Sequence, residues 1–236
     1  MSNPYFKFKQ FTVFHDKCGM KVGVDGVTLG AWVDVNGAET ILDVGCGSGL
    51  IALMLAQRSD AKITAIDIDE NCVLQSKKNI ENSPWKDRIS VKHFSFQDFA
   101  DSTTETYDLI VSNPPFFNNS LKNPSQARSV ARHTDTLPHL DLVKNAIKLL
   151  NEKGKFCVIL PVTEGEDFIE LAVEEGLYCS QKLTVFPNYV KPAKRLLLEF
   201  RKEKTECKVS EMTIEKERGI YTEEYRESVK NFYLKL

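Results

Sequence analysis

Asn113-Pro114-Pro115-Phe116 follows directly on the apolar run Tyr107–Ser112 and is the most specific piece of chemistry in the sequence. Two prolines fix φ and stiffen the loop, so that the Asn113 side-chain oxygen and the Pro114 carbonyl are held at a strand terminus. Both oxygens accept hydrogen bonds. A pair of adjacent acceptors suits a planar NH₂ group, because accepting both N–H bonds draws the nitrogen lone pair out of conjugation and aims it. Phe116 offers a face on which the ring bearing such an amine can stack, worth ~1–3 kcal/mol per base. Asn113, Pro114, Pro115 and Phe116 are the catalytic candidates, with Phe117 beside them as a further substrate contact.

A second group could hold a small nucleoside. Asp43-Val44-Gly45-Cys46-Gly47-Ser48-Gly49 sits where a strand hands over to a helix. Glycines there let the backbone turn sharply and approach a ligand with no Cβ in the way. The spacing is not the GxGxxG of dinucleotide binders, and no Gly-Lys-Ser/Thr comes after it to make a phosphate loop. Taken alone it also fits a turn without a ligand. Asp67 strengthens the case: it closes the second strand, where an acid can accept both ribose hydroxyls at the carboxyl edge of a sheet. Asp69 nearby reads as a solvated turn residue. Asp98 is expected to close the third strand and accept from an adenine amino group, with Phe99 as an apolar wall.

The elements that must position these residues alternate from residue 40 onward in the pattern of a parallel α/β sheet. Strands are expected at Thr40–Val44, Lys62–Ile66, Ile89–Phe94, Tyr107–Ser112 and Lys155–Leu160. Helices are expected at Leu50–Gln57, Glu70–Asn82, Leu140–Leu150 (closed near Gly154) and Glu166–Glu175 (capped by Gly176). Cys179–Phe186 and Arg195–Arg201 are two more strands, joined by a gap too short for a helix. They must be antiparallel, since a parallel return needs a dozen or more residues. The expected fold is α/β: a doubly wound, seven-stranded, mainly parallel sheet with a C-terminal antiparallel hairpin. A last helix, Thr222–Tyr233, would be N-capped by Thr222. The polar stretch 118–136 is longer than ordinary connections, which marks it as functional or disordered.

Composition excludes several classes. A chain of 236 residues, 42% apolar and 27% charged, makes one or at most two compact domains. No apolar stretch approaches the ~20 residues of a membrane span. The N-terminal sequence lacks an uninterrupted apolar core, so a cytoplasmic protein is expected. The six cysteines (18, 46, 72, 157, 179, 207) form no CxxC pair and have no His at metal-ligand spacing, so reduced, packed thiols and no metal are expected. The net charge of −2 hides an uneven distribution. Residues 1–24 carry four Lys against one Asp. Residues 191–236 carry 12 basic against nine acidic side chains, and the middle, 25–190, carries 15 against 23. Basic ends could form a rim for phosphates.

Taken together these motifs resemble the Rossmann-like S-adenosylmethionine-dependent methyltransferases, in the branch whose Asn-Pro-Pro-aromatic motif serves planar amines. The resemblance covers nearly all of residues 20–202. Within that branch the chain is most similar to the bacterial tRNA1(Val) adenine-N6-methyltransferases, on Lys21–Trp32, Arg195–Phe200, Tyr221-Thr222, Tyr225 and Phe232–Leu234. Phe116 departs from the Tyr of many members and also occurs in enzymes acting on guanine N2.

The resemblance implies S-adenosylmethionine as cofactor and S-adenosylhomocysteine as product, held by Lys21, Asp43, Gly45, Gly47, Gly49, Asp67, Ile68, Asp98, Phe99 and Asn113, with Lys21 and Asp25 near the donor's methionine end. It implies a tRNA partner methylated at adenine 37 of the anticodon loop, met by Phe116, Phe117, Arg128, Arg132, Lys191, Lys194 and Arg195. No membrane and no obligate protein partner are implied, and His133 is not needed as a base. A guanine-N2 RNA methyltransferase, an N5-glutamine protein methyltransferase and a non-catalytic module remain open. The glutamine enzymes carry a helical recognition domain before the donor fold, and only about 40 residues precede Asp43 here. The expected organisation is one domain over 1–236: a lead (1–39), a core (40–202) and an extension (203–236).

Overall fold

A computed structural model describes residues 3–115 and 138–235. The lead is a hairpin, β1 (Tyr5–Lys7) and β2 (Thr12–Phe14), followed by α1 (Val24–Trp32). The core continues with β3 (Thr40–Val44), α2 (Leu50–Arg58), β4 (Lys62–Asp67), α3 (Glu70–Glu81), β5 (Ile89–His93), α4 (Phe96–Ser102) and β6 (Tyr107–Ser112). After the undescribed 116–137 come α5 (His139–Leu149), β7 (Leu150–Pro161), α6 (Val162–Glu174), β8 (Tyr178–Asn188) and β9 (Arg195–Arg201). The extension adds β10 (Lys208–Glu217), β11 (Ile220–Tyr221) and α7 (Glu223–Val229).

Nine of these strands form one sheet in the order β11-β10-β8-β9-β7-β6-β3-β4-β5. The five strands from β7 to β5 are parallel, and β9 is antiparallel to both β7 and β8. The chain winds outward from β3 to β5, then crosses back to β6 on the other side of β3. Strand order therefore reverses between β3 and β6, and the crevice at their carboxyl ends is where such sheets bind ligands.

Side chains alternate between two cores. Ile41, Ile63, Leu109, Val111 and Leu197 pack under α1, α2 and α7, whereas Leu42, Ile66, Ile110, Val158 and Leu198 pack under α4, α5 and α6. In α2 every residue from Leu50 to Ala56 is buried, because the sheet covers one side and α1 the other. Among the described residues no helix is long and apolar enough to cross a membrane.

The expected strands Thr40–Val44, Tyr107–Ser112 and Arg195–Arg201 and the antiparallel β8–β9 pair are present with those bounds or that pairing. Four expectations are corrected. The sheet has two further strands, β10 and β11, because β8 leaves a free edge that β10 covers in parallel. Gly154 lies inside β7 and closes no helix, since β7 begins at Leu150. Asp98 does not close a strand: it lies in the first turn of α4, whose N-cap is Ser95. The cysteines are not all free. Cys18 and Cys72 are joined as a disulfide, and Cys46, Cys157, Cys179 and Cys207 are free thiols. At a sequence separation of 54, nothing in the sequence pairs Cys18 with Cys72; only the packing of the lead against α3 does.

Candidate active site

A cavity of about 750 Å³ opens at the β3–β6 switch point, large enough for a nucleoside-sized ligand. Its wall includes Gly45 and Gly47 from the loop after β3, Asp67 and Ile68 at the end of β4, Phe94 to Gln97 after β5, and Ser112 to Pro115 at the end of β6. Parallel strands place four strand ends at one edge, so residues about 70 apart in sequence meet there. The Ser112 hydroxyl donates to the Val44 carbonyl at 3.0 Å, which pins the ends of β6 and β3 together.

The glycine loop is shaped by its backbone. Gly45, Gly47 and Gly49 have φ of 70°, 54° and 80°. Gly49 is the N-cap of α2, and a Cβ there would stand 2.5 Å from the Ser76 hydroxyl oxygen, so the turn requires glycine on two counts. The amides of Gly45 and Cys46 both donate to the Ile66 carbonyl, and Gly47 N donates to Asp67 Oδ2 at 2.7 Å. Asp67 Oδ1 accepts from Asp69 N at 2.9 Å. Each Asp67 oxygen thus accepts from a backbone amide, and the residue lines the cavity. Burial, aided by the nearby Asp69 charge, raises the Asp67 pKa despite those amides.

Asn113 carries the most informative atom. Its Oδ1 is buried and has no hydrogen-bond partner among the described residues. A buried acceptor left unpaired costs ~1–3 kcal/mol, which a ligand N–H would recover. Gly26, in α1, leaves room beside it: a Cβ at Gly26 would lie 4.0 Å from Asn113 Nδ2 and 3.1 Å from Leu50.

Of the residues expected to hold the cofactor, Gly45, Gly47, Asp67, Ile68 and Asn113 line the cavity together with Pro114 and Pro115. Others do not. Asp43 is fully buried behind the loop, where Oδ2 accepts from Ala52 N at 3.0 Å and anchors the first turn of α2. Burial pushes its pKa up to about 7. Gly49 and Lys21 lie outside the wall. Phe99 is packed in the core at 1% exposure, so Phe94 and Phe96 take the place expected of it. Asp98 Oδ2 accepts from the Ser95 hydroxyl at 2.6 Å, and Ser95 in turn caps Asp98 N. Phe116, Phe117, Arg128, Arg132 and His133 lie outside the described residues.

Arg195 makes an ion pair with Asp25 (2.8 Å), joining β9 to α1; that pairing competes with a phosphate contact. Lys191 and Lys194 stand exposed on the β8–β9 turn. The sequence reading missed Cys18, Gly19, Met20 and Cys72 on the wall, and Tyr189 and Val190, 68% and 89% exposed beside Lys191. It also missed the aromatic side of the cavity, for which Phe94-Ser95-Phe96, two aromatics around a capping serine at a strand end, was the available signal.

Residues 28–172 match the family model described as methyltransferase small domain. A tRNA1(Val) (adenine(37)-N6)-methyltransferase of Trichodesmium erythraeum is 50% identical over the full length of both chains. The chain belongs to this methyltransferase family. A second member, from Photorhabdus laumondii, is 47% identical over 97% of this chain and 95% of its own. Among solved structures, a predicted O-methyltransferase from Agrobacterium tumefaciens superposes with a TM-score of 0.66 at 15% identity, covering 88% of this chain and 96% of that one. A T. thermophilus 16S rRNA N2 G1207 methyltransferase, solved with AdoMet and guanosine, gives 0.57 at 20% identity over 84% of this chain and 50% of that one. Both share the fold of class I methyltransferases, and this methyltransferase has β10 and β11 at one edge of its sheet.

Proposed function

We propose that this methyltransferase transfers a methyl group from S-adenosylmethionine to the exocyclic N6 amine of adenine 37 in tRNA1(Val). The observation that carries the reading is the buried Asn113 Oδ1, without a partner among the described residues, on the wall of the cavity at the sheet's switch point. S-adenosylmethionine would supply there a methyl group on a sulfonium centre, open to in-line displacement. The residues present fit it: Asp67 offers free lone pairs to the ribose hydroxyls, Gly45 and Gly47 give a wall without side chains, and Ile68 with Phe94 and Phe96 gives the apolar sides of a base pocket. Asn113 Oδ1, with the Pro114 carbonyl, accepts from the target amine and orients its lone pair. Orientation of this kind is worth up to ~7–11 kcal/mol of the barrier.

An amine inside a stacked helix cannot reach Asn113, so the base must be extruded, at least cost from a single-stranded loop. Tyr189, Lys191 and Lys194, at the same carboxyl edge as the cavity, are the described surface for the flanking RNA, and Arg128 and Arg132 complete it in this reading. The function is assigned to residues 1–236 as one domain, because the lead packs into the core and the extension prolongs the sheet. The reading places the enzyme in the cytoplasm and invokes neither a metal nor a protein partner.

The test is mass spectrometry of nucleosides from tRNA1(Val) incubated with the enzyme and S-adenosylmethionine. N6-methyladenosine at position 37 is expected, and Asn113→Ala should lower kcat by about 10²–10³-fold while leaving S-adenosylhomocysteine affinity nearly unchanged. Methyl label on guanine N2 or on a protein glutamine overturns the reading.

A further inference from the structure

The disulfide between Cys18 and Cys72 lies on the wall of the cavity just assigned to the methyl donor. Cys72 is the third residue of α3, and Cys18 belongs to the segment between β2 and α1. That segment is laid along one face of α3. Asn79 exchanges hydrogen bonds with the Phe14 backbone (3.0 and 2.8 Å), Gln75 accepts from Lys17 N at 3.2 Å, and Cys72 holds Cys18. Positions 72, 75 and 79 are three and four apart, so they share a helix face. The strap is fastened at each of them in turn.

Past Lys17 the strap leaves the helix and becomes cavity wall, through Cys18, Gly19 and Met20. Cys18, at 8% exposure, is the one buried residue among 16–21, whose other members are all exposed. Its sulfur lies 3.9 Å from where a Cβ on Gly47 would stand, so the last fastening of the strap sits over the glycine loop. A wall segment held at that point by one covalent bond is held differently when the bond is cut.

We propose that Cys18 and Cys72 are a reversible oxidation site that fastens the strap over the donor cavity, so that their redox state sets how fast donor and product exchange. The proposal rests on the donor reading of the cavity. Disulfides in a reducing compartment are transient and regulatory more often than structural. Both cysteines line the cavity, so a low-molecular-weight disulfide such as oxidised glutathione reaches them when the donor is absent. One cysteine thiolate attacks that disulfide and expels a small thiolate. The second cysteine thiolate then attacks the mixed disulfide, forms the Cys18–Cys72 bond and expels the other. The protein loses two electrons and two protons, and the small disulfide gains them as two thiols.

The experiment equilibrates the full-length enzyme in glutathione buffers of graded ratio, maps cysteines by differential alkylation and peptide mass spectrometry, and follows dissociation of labelled S-adenosylhomocysteine. A linked Cys18–Cys72 peptide should appear on oxidation and vanish on reduction, resolved from any change at Cys179 and Cys207, whose sulfurs lie 3.4 Å apart at the start of β8. Product dissociation should slow by about fivefold or more in the linked form, as expected where opening of a lid limits release. Cys18→Ser and Cys72→Ser should exchange at the reduced rate in every buffer. Absence of the linked peptide at high oxidised glutathione, or a linked form with unchanged exchange, overturns the proposal. Absence of binding in all redox states overturns the donor reading itself.

Discussion

At the residue scale, two side chains on the cavity wall differ in what their oxygens still lack. Asn113 Oδ1 has no partner among the described residues, whereas both oxygens of Asp67 already hold a backbone amide. In the proposed reading Asp67 is thus preorganised and would lose little entropy on meeting a ribose diol. Its pKa is raised, chiefly by burial, so protonation begins at higher pH than for a solvated aspartate. Ribose hydroxyls donate to the ionised form and stabilise it, so donor binding lowers that pKa. Affinity for S-adenosylhomocysteine should be full above the raised pKa and fall as pH drops through it. Calorimetry over a pH series from neutral into the carboxylate range checks this. Asp67→Asn should weaken binding at neutral pH by about tenfold or more, the loss of a charged hydrogen bond of ~1.5–3 kcal/mol, and should flatten the pH profile.

At the scale of elements, the glycine loop works because its backbone is held from both sides. Ile66 O takes two of its amides, Asp67 a third, and Asp43 the first turn of α2. Gly49→Ala should therefore destabilise the protein by ~1–2 kcal/mol for the left-handed φ, with a further cost for the contact with Ser76. Urea denaturation should show that adding Ser76→Ala recovers the second part and leaves the first. α1 is another element shaped by its surroundings. Val24–Trp32 contains two glycines and a threonine, poor helix formers, and its helical state rests on packing against α2. The carbonyls at its end, of Gly30 and Val33, accept from Arg58 at 2.8 and 2.7 Å.

At the scale of the whole molecule, the candidate site residues concentrate on one edge. The carboxyl ends of β3 to β7 meet there, and because β9 is antiparallel to β7, the β8–β9 turn emerges beside them: Pro161 pairs with Arg195. Lys191 and Lys194 stand exposed on that turn, which the proposed reading makes the phosphate-binding surface. tRNA affinity should fall with salt at a log–log slope of about −0.7 per single-strand phosphate contacted. Lys191→Glu with Lys194→Glu should flatten that slope by about 1.4 without changing donor affinity, measured by filter binding across salt concentrations. Arg195 is left out because its reversal would break the pair with Asp25. A slope that the double variant leaves unchanged removes the turn from the RNA surface.

By itself the sequence determined the central strands and the turn residues that close them. Strands such as Thr40–Val44 and Tyr107–Ser112 are short apolar runs closed by turn residues, and their order implies a parallel sheet with its ligands at the carboxyl edge. Gly45, Gly47, Asp67 and Asn113 were legible for the same reason: each stands at a strand end, and strand ends in such a sheet converge. The rest was decided by tertiary contact. β10 carries the polar pattern of a half-exposed edge and becomes a strand only because β8 offers an unpaired edge. Phe94 and Phe99 lie on either side of a helix start, which sent one to the cavity and the other to the core. Cys18 and Cys72 carry no mark of each other, since a bond between distant residues depends on where the lead is laid, and the side chains of α3 settle that. Spacing determines which residues an element presents; only packing determines what they meet.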